Sequence, residues 1–384
     1  MGKRIAMVAG EASSDMLAAH LIRLLRKQYP DAQFFGIGGP RMEMEGFHSL
    51  WPCERLAVYG YIDALKRYRE LSGIRRQMLE EVRKTRPDVF IGVDAPDFNL
   101  WLERKVREDG IPSIHFVGPS IWAWRGGRIR KIARSVSHML CLFPFEPVLY
   151  ERAGVPVTYV GHPLADTFPL VPDRLAMREQ LRVRADATVI ALLPGSRESE
   201  VRNLAALYIE TARILSERRP DTIFLVPLAT RATREIFEQA IYDADAGELP
   251  LRLMFDHASD AMTAADAVLV ASGTASLEAA LLKRPMVICY RIGKWQYRLM
   301  KRLAYLPWVG LPNILCNETV VPELLQEDAH PVALADGLDA WLSDPDARER
   351  LVQRFTELHH ELRQNTAEKA AEAIRPYLEG ETGA

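Results

Sequence analysis

Ile5-Ala6-Met7-Val8-Ala9-Gly10-Glu11-Ala12-Ser13-Ser14 sets five apolar residues directly before a glycine-bearing polar turn, and a stretch of helical period follows. The order returns in the second half, where the apolar run 189–193 leads into Pro194-Gly195-Ser196-Arg197-Glu198 and then a helix. Further runs of this kind stand at 34–37, 89–93, 113–117 and 139–143, and at 223–227, 267–270 and 286–290. Short apolar runs alternating with helical stretches predict parallel sheets with crossover helices, an α/β class. Between the two series, Gly161-His162-Pro163-Leu164-Ala165-Asp166-Thr167-Phe168-Pro169-Leu170-Val171-Pro172 carries three prolines that interrupt both periodicities and mark a linker. The expectation is two doubly wound domains, 1–165 and 166–345, facing each other across a cleft with ligands at the carboxyl ends of the strands. The remaining 346–384 reads as helices that pack back across the linker or exchange between subunits of a homodimer.

Length and composition agree with this division. At about 150 residues per domain, 384 residues give two or three domains, and 48% hydrophobic with 26% charged residues is ordinary globular composition. A balance of 49 basic against 51 acidic residues, net charge -2, removes the whole-chain case for a nucleic-acid partner, so an anionic ligand must be gripped locally. Cys53, Cys141, Cys289 and Cys316 form no C-x-x-C pair and support neither a disulfide framework nor a zinc site, which fits a reducing, cytoplasmic setting. The first apolar run is too short for a signal peptide, and no run reaches the roughly 18 residues of a membrane span.

Three turns could carry chemistry. Ala271-Ser272-Gly273-Thr274-Ala275-Ser276-Leu277-Glu278 joins a strand to an apolar helix, and its free amides and hydroxyls suit a phosphate, with Glu278 placed for a ribose diol. Plain helix capping by Ser272 or Thr274 is the competing account. Arg197, beside Ser196, would offer its fork to a diphosphate, or would simply pair with Glu198 and Glu200 in solvent. In Val93-Asp94-Ala95-Pro96-Asp97-Phe98-Asn99, Asp94 ends a buried strand and is the preferred general base, whereas Asp97 reads as a turn or helix-cap residue. Glu11 and Ser13 line the same rim and could hold acceptor hydroxyls or cap a helix. Gly36-Ile37-Gly38-Gly39-Pro40 is not on the first strand–helix turn, so a nicotinamide cofactor is poorly supported. His115 reads as a satisfied interior residue, and no spacing suggests a metal. Two amphipathic stretches, 61–78 with Tyr61, Leu65 and Tyr68, and 295–308 with Trp295, Tyr297, Leu299 and Trp308, face either a core or an amphiphile beside a basic ridge.

With these motifs in order, the chain resembles the lipid-A-disaccharide synthases, the bacterial glycosyltransferases of family 19. The resemblance rests on Val8-Ala9-Gly10-Glu11-Ala12-Ser13, Gly39-Pro40-Arg41-Met42, the Asp94 segment, Pro119-Ser120-Ile121-Trp122-Ala123-Trp124-Arg125, Leu193-Pro194-Gly195-Ser196-Arg197, Ala271-Ser272-Gly273-Thr274-Ala275 and Leu311-Pro312-Asn313. It implies a GT-B fold of two Rossmann-like domains and no required metal or other cofactor. It also implies inverting transfer of 2,3-diacylglucosamine from its UDP conjugate to 2,3-diacylglucosamine 1-phosphate (lipid X), giving a β-1,6-linked disaccharide 1-phosphate and UDP at the cytoplasmic face of the inner membrane. Ser14 and Gly118 depart from the family pattern, which has glycine and commonly serine there.

Carried onto these residues, the resemblance makes Asp94 the base and gives Ser196, Arg197 and the 272–275 amides the diphosphate. Glu278 takes the ribose, and Asn313 lies near the donor. Trp122, Arg125 and Arg128 are expected on the acceptor side, with Arg125, Arg128, Arg130 and Lys131 offered to its phosphate or to anionic lipid, against a solvated loop. The acyl chains and the phospholipid surface would meet the two amphipathic stretches. A UDP-N-acetylglucosamine 2-epimerase or a non-catalytic nucleotide-sugar sensor would share the nucleotide site.

Overall fold

The computed structural model describes residues 2–56, 61–123, 126–271 and 273–381, with the side chains of 61–66, 294, 296 and 299 left out. Each half of the chain builds its own parallel sheet. In the first, β1 (Arg4–Ala9), β2 (Gln33–Gly38), β3 (Phe47–Pro52), β4 (Val89–Val93), β5 (Ser113–Phe116), β6 (His138–Cys141) and β7 (Val157–Tyr159) run in the order β3-β2-β1-β4-β5-β6-β7. In the second, β8 (Thr188–Leu193), β9 (Thr222–Leu228), β10 (Leu251–Phe255), β11 (Ala267–Ala271), β12 (Met286–Tyr290) and β13 (Glu323–Leu325) run β10-β9-β8-β11-β12-β13. These are two doubly wound α/β units, as the alternation of runs implies. In each, the strand order reverses between two central neighbours, β1 with β4 and β8 with β11, and an open sheet of this kind leaves a crevice at that switch point.

The central strands are apolar throughout because both faces are covered. Ile5, Met7 and Ala9 of β1 pack with Leu17, Leu21 and Ile22 of the helix Ala12–Gln28, while Ala6 and Val8 face Ile74, Met78 and Val82 of the helix Tyr61–Thr85. The strands that the runs do not announce, β3, β7, β10 and β13, all lie at sheet edges, where half-buried residues mix polar and apolar side chains.

The compact units are 1–166 together with 361–384, and 167–360. The tail is therefore divided: the helix Thr366–Glu379 lays Ala370, Ala371, Ile374 and Leu378 into the first unit's core beside Leu21 and Ile22. At about 1.5–3 kcal/mol per buried aliphatic side chain, Ile374 and Leu378 make that docking strong. In this single chain the helix docks on its own first unit, and an exchange between subunits would use the same apolar face. Among the described residues no helix is long and apolar enough to cross a membrane.

Candidate functional site

In the first unit the site begins with backbone that bends against preference. Asp94 and Ala95, directly after β4, have φ of 53° and 44°, and Val117, just after β5, has φ of 81°. Non-glycine residues reach this region only when their surroundings over-determine it. Here Asp94 N–H donates to the Phe116 carbonyl at 2.8 Å and the Asn99 side-chain amide donates to the Asp94 carbonyl at 2.8 Å. The turn of β1 closes in behind: a β-carbon on Gly10 would stand 2.8 Å from the Ala95 β-carbon, so only glycine allows the two turns to touch.

The half-buried Asp94 then faces a cavity of about 310 Å³, which Val117, Gly118, Ser120 and Arg128 also line. Asp97 lies outside that lining, with an exposed side chain ion-paired to Arg128, so the Arg128 guanidinium already has an anionic partner. Glu11 and Ser13 are exposed at the start of the helix Ala12–Gln28. Ser14 caps that helix, its hydroxyl accepting from Gly10 N–H at 3.1 Å and Glu11 N–H at 2.9 Å, and it needs no left-handed backbone. The glycine-rich turn 36–40 is closed to a phosphate by the chain itself. Buried Asp15 accepts the N–H groups of Gly39, Arg41 and Met42 at 2.8–3.1 Å.

Trp122 is held from below. Its indole N–H donates to Glu146 at 3.2 Å, and its ring stands edge-on to Phe143 and Phe145 at 6.1 and 5.3 Å. Burial pushes the Glu146 carboxyl up to about 7, against hydrogen bonds from Phe143 N–H and Trp122 that favour its ionised form. Sequence reading missed Glu146, because a lone acid within Phe143-Pro144-Phe145-Glu146 carries no motif. Arg125 lies outside the described residues.

The second unit gathers its residues more closely. The turns after β8 and β11 meet around a cavity of about 410 Å³ lined by Ser196, Arg197, Gly273, Thr274, Ala275 and Glu278. Gly195 has φ of 117°, and a β-carbon there would meet Glu200 Oε2 at 2.5 Å. That carboxylate accepts from Ser196 N–H at 3.1 Å and Arg197 N–H at 3.2 Å, and the largely exposed Arg197 side chain is ion-paired to Glu200 at 3.7 Å, the solvated pairing that the sequence also allowed. Gly273, with φ of 135°, opens the helix Thr274–Leu281 toward the cavity. Ser272 lies outside the described residues.

Glu278 is pushed up to about 7, first by burial and then by the Asp256 carboxylate across the cavity. Asp256 is a lining residue that the sequence reading missed, while Glu200 was read only as a partner of Arg197. Asp256, like Asp94, sits in left-handed backbone just after a strand, at φ of 59°, and the Asp-His pair following β10 was the only signal.

Asn313, expected near the donor, has its side-chain amide engaged within its own segment. The Asn313 side chain is fully buried, its amide donating to the Val321 carbonyl and Glu323 at 2.9 and 2.8 Å while its oxygen accepts from Val320 and Val321 N–H at 2.8 and 3.0 Å. No polar atom of it is left for a ligand, and its work is to fold the segment 311–323.

Of the aromatic stretches, Trp295 is 81% exposed and Tyr68 62% exposed, Tyr297 is half-buried, and the half-buried Trp308 donates its indole N–H to Thr319. The side chains of Tyr61, Leu65 and Leu299 lie outside the described residues.

A pair of doubly wound units, each with a cavity at the carboxyl ends of its strands, is the GT-B class, which glycosyltransferases and sugar-nucleotide epimerases share. A putative UDP-N-acetylglucosamine 2-epimerase from Listeria monocytogenes has this fold, with TM-score 0.66 at 11% identity, covering 100% of this chain and 98% of that one. So does a glycosyltransferase from Rickettsia africae, with TM-score 0.60 at 11% identity and 100% of both chains covered. Sequence separates the two. The family model described as lipid-A-disaccharide synthetase matches residues 5–374. The lipid-A-disaccharide synthase of Aromatoleum aromaticum is 74% identical over 378 residues, 98% of this chain and 97% of that protein. The chain belongs to the lipid-A-disaccharide synthase family and is a glycosyltransferase enzyme of lipid A disaccharide synthesis.

Proposed function

We propose that the enzyme carries a 2,3-diacylglucosamine unit from its UDP conjugate to the 6-hydroxyl of 2,3-diacylglucosamine 1-phosphate in one inverting step. Asp94 takes the 6-hydroxyl proton as that oxygen bonds to the anomeric carbon. The bond from the anomeric carbon to the diphosphate oxygen breaks with its electron pair leaving on UDP. Arg197, Ser196 and the amides of 273–275 hold the departing diphosphate by charge-assisted hydrogen bonds, without a metal or other cofactor. Glu278 accepts from the ribose. The observation that carries this reading is the convergence of six donor-side residues on one cavity at the β8/β11 switch point, in a chain matched to the family almost end to end.

On the acceptor side, Arg128 exchanges its Asp97 partner for the 1-phosphate of lipid X. Exposed Trp295, Tyr305 and Tyr68, with Arg298, Lys301 and Arg302, support peripheral contact with the cytoplasmic face of a phospholipid bilayer. Exchange of the helix Thr366–Glu379 between subunits would give a homodimer, and light scattering in mild detergent reads it directly. Mass spectrometry of the products made from the two acylated glucosamine substrates tests the reaction. A tetraacyl disaccharide phosphate is expected, and epimerised UDP-sugar formed without acceptor contradicts it.

A further inference from the structure

The helix Tyr61–Thr85 carries a guanidinium that no carboxylate answers. Its buried Ile74 and Met78 pack against Ala6 and Val8 of β1, which seats the half-buried Arg75 across the first turns of the helix Pro96–Glu108. There the guanidinium carbon lies 4.7 Å from the Trp101 ring centre and 5.9 Å from that of Phe98. A cation laid over aromatic faces is fixed in orientation and partly stripped of water, and it therefore holds an anion more firmly than a solvated one does. Its hydrogen bond runs to a backbone oxygen, the Asp97 carbonyl, at 3.5 Å. Burial lowers its pKa first, and of the neighbours that act on its charge, Tyr68 and Arg76, neither is a carboxylate.

Asp97 also engages a second arginine. Its carboxylate pairs with Arg128, which lines the cavity of Asp94. Two guanidinia thus meet around one carboxylate, and that carboxylate is 76% exposed. An ion pair so open to water contributes little and is readily exchanged.

We infer that Arg75 and Arg128 form a two-pronged seat for a phosphate borne by a lipid, with the Asp97 carboxylate giving way to it. The inference rests on the reading of the Asp94 cavity as the acceptor site and adds to it Arg75, a binding residue outside the cavity lining. Phosphate oxygens match a guanidinium fork two at a time, and a monoester brings up to two negative charges to the two cations. The acceptor's 1-phosphate and 6-hydroxyl flank its ring oxygen. A phosphate fixed beside Asp97 therefore limits where the hydroxyl can lie relative to Asp94, three residues away. The headgroup of an anionic phospholipid offers the same chemistry.

The test uses the full chain and Arg75→Gln, with acceptor carrying or lacking its 1-phosphate in detergent. Arg75→Gln is expected to raise the KM of the phosphorylated acceptor about tenfold, while the KM values of the unphosphorylated acceptor and of the donor stay within about twofold. A partly unfolded variant would lose turnover on both acceptors alike and leave every KM in place. Sedimentation with phosphatidylglycerol against phosphatidylcholine vesicles reads the other source of the phosphate. Equal effects on the two acceptors, with binding weakened to the anionic vesicles alone, assign the seat to a bilayer headgroup. Equal effects on the two acceptors with vesicle binding unchanged overturn the inference and leave the base reading standing. A parent that makes no disaccharide overturns the acceptor reading instead, and the vesicle arm then decides the seat.

Discussion

Asp94 and Asp97 are three residues apart, yet one carboxylate enters a cavity and the other takes an arginine in solvent. The difference is made by two successive left-handed residues, which turn the chain sharply at the end of β4 and send the helix away. A residue-scale consequence concerns Glu146. Its carboxyl, raised from the ordinary 4.5 to about 7, is neutral below that pH, ionised above it, and a better acceptor for the Trp122 indole once ionised. The pH-dependent part of tryptophan fluorescence is therefore expected to have a midpoint near 7 and to vanish in Trp122→Phe. The associated stability is complete below the unfolded value and is lost as pH rises through the folded one, so raising pH from 5 to 8 weakens the first unit through this group. Calorimetry of the parent against Glu146→Gln across that range checks the sign.

At the scale of elements, legibility followed burial. β1, β4, β8 and β11 are covered on both faces and therefore read as unbroken apolar runs, and they happen to flank both switch points. β3, with His48, Ser49 and Pro52, is an edge strand whose exposed side must be polar, and β7 and β13 have three residues each, so no periodicity could reveal them. The same limit governed the site. Turns were visible as glycine-bearing words, but Asp256 meets the others only through folding. Asn313 sat in a family word, yet its amide is taken up by its own loop.

Gly92 supplies the element-scale prediction. Gly92→Ala forces a β-carbon against Glu103 and Asn99 and is expected to cost about 1–3 kcal/mol, read from denaturant unfolding. The second unit's UDP affinity should be unchanged.

For the whole molecule, the chain completes its first unit only with its last helix. Ile374→Ala, in the core of that unit, is expected to lose about 2–5 kcal/mol of its stability and to leave the second unit's thermal transition in place. Calorimetry resolving both transitions checks it, and a joint shift of the two would contradict it. The exposed apolar side chains belong to this scale as well. Trp295→Ser should reduce sedimentation with anionic phospholipid vesicles while turnover on detergent-dispersed substrates persists.

The central claim is that a carboxylate on the first unit deprotonates the acceptor while the second unit holds UDP. The direct measurement is turnover of Asp94→Asn on the two acylated glucosamine substrates, followed by mass spectrometry, beside calorimetric UDP binding. A fall of at least about a hundredfold in rate, with UDP affinity kept within about twofold, is the expected result. Product formed by Asp94→Asn at close to the parent rate would contradict it.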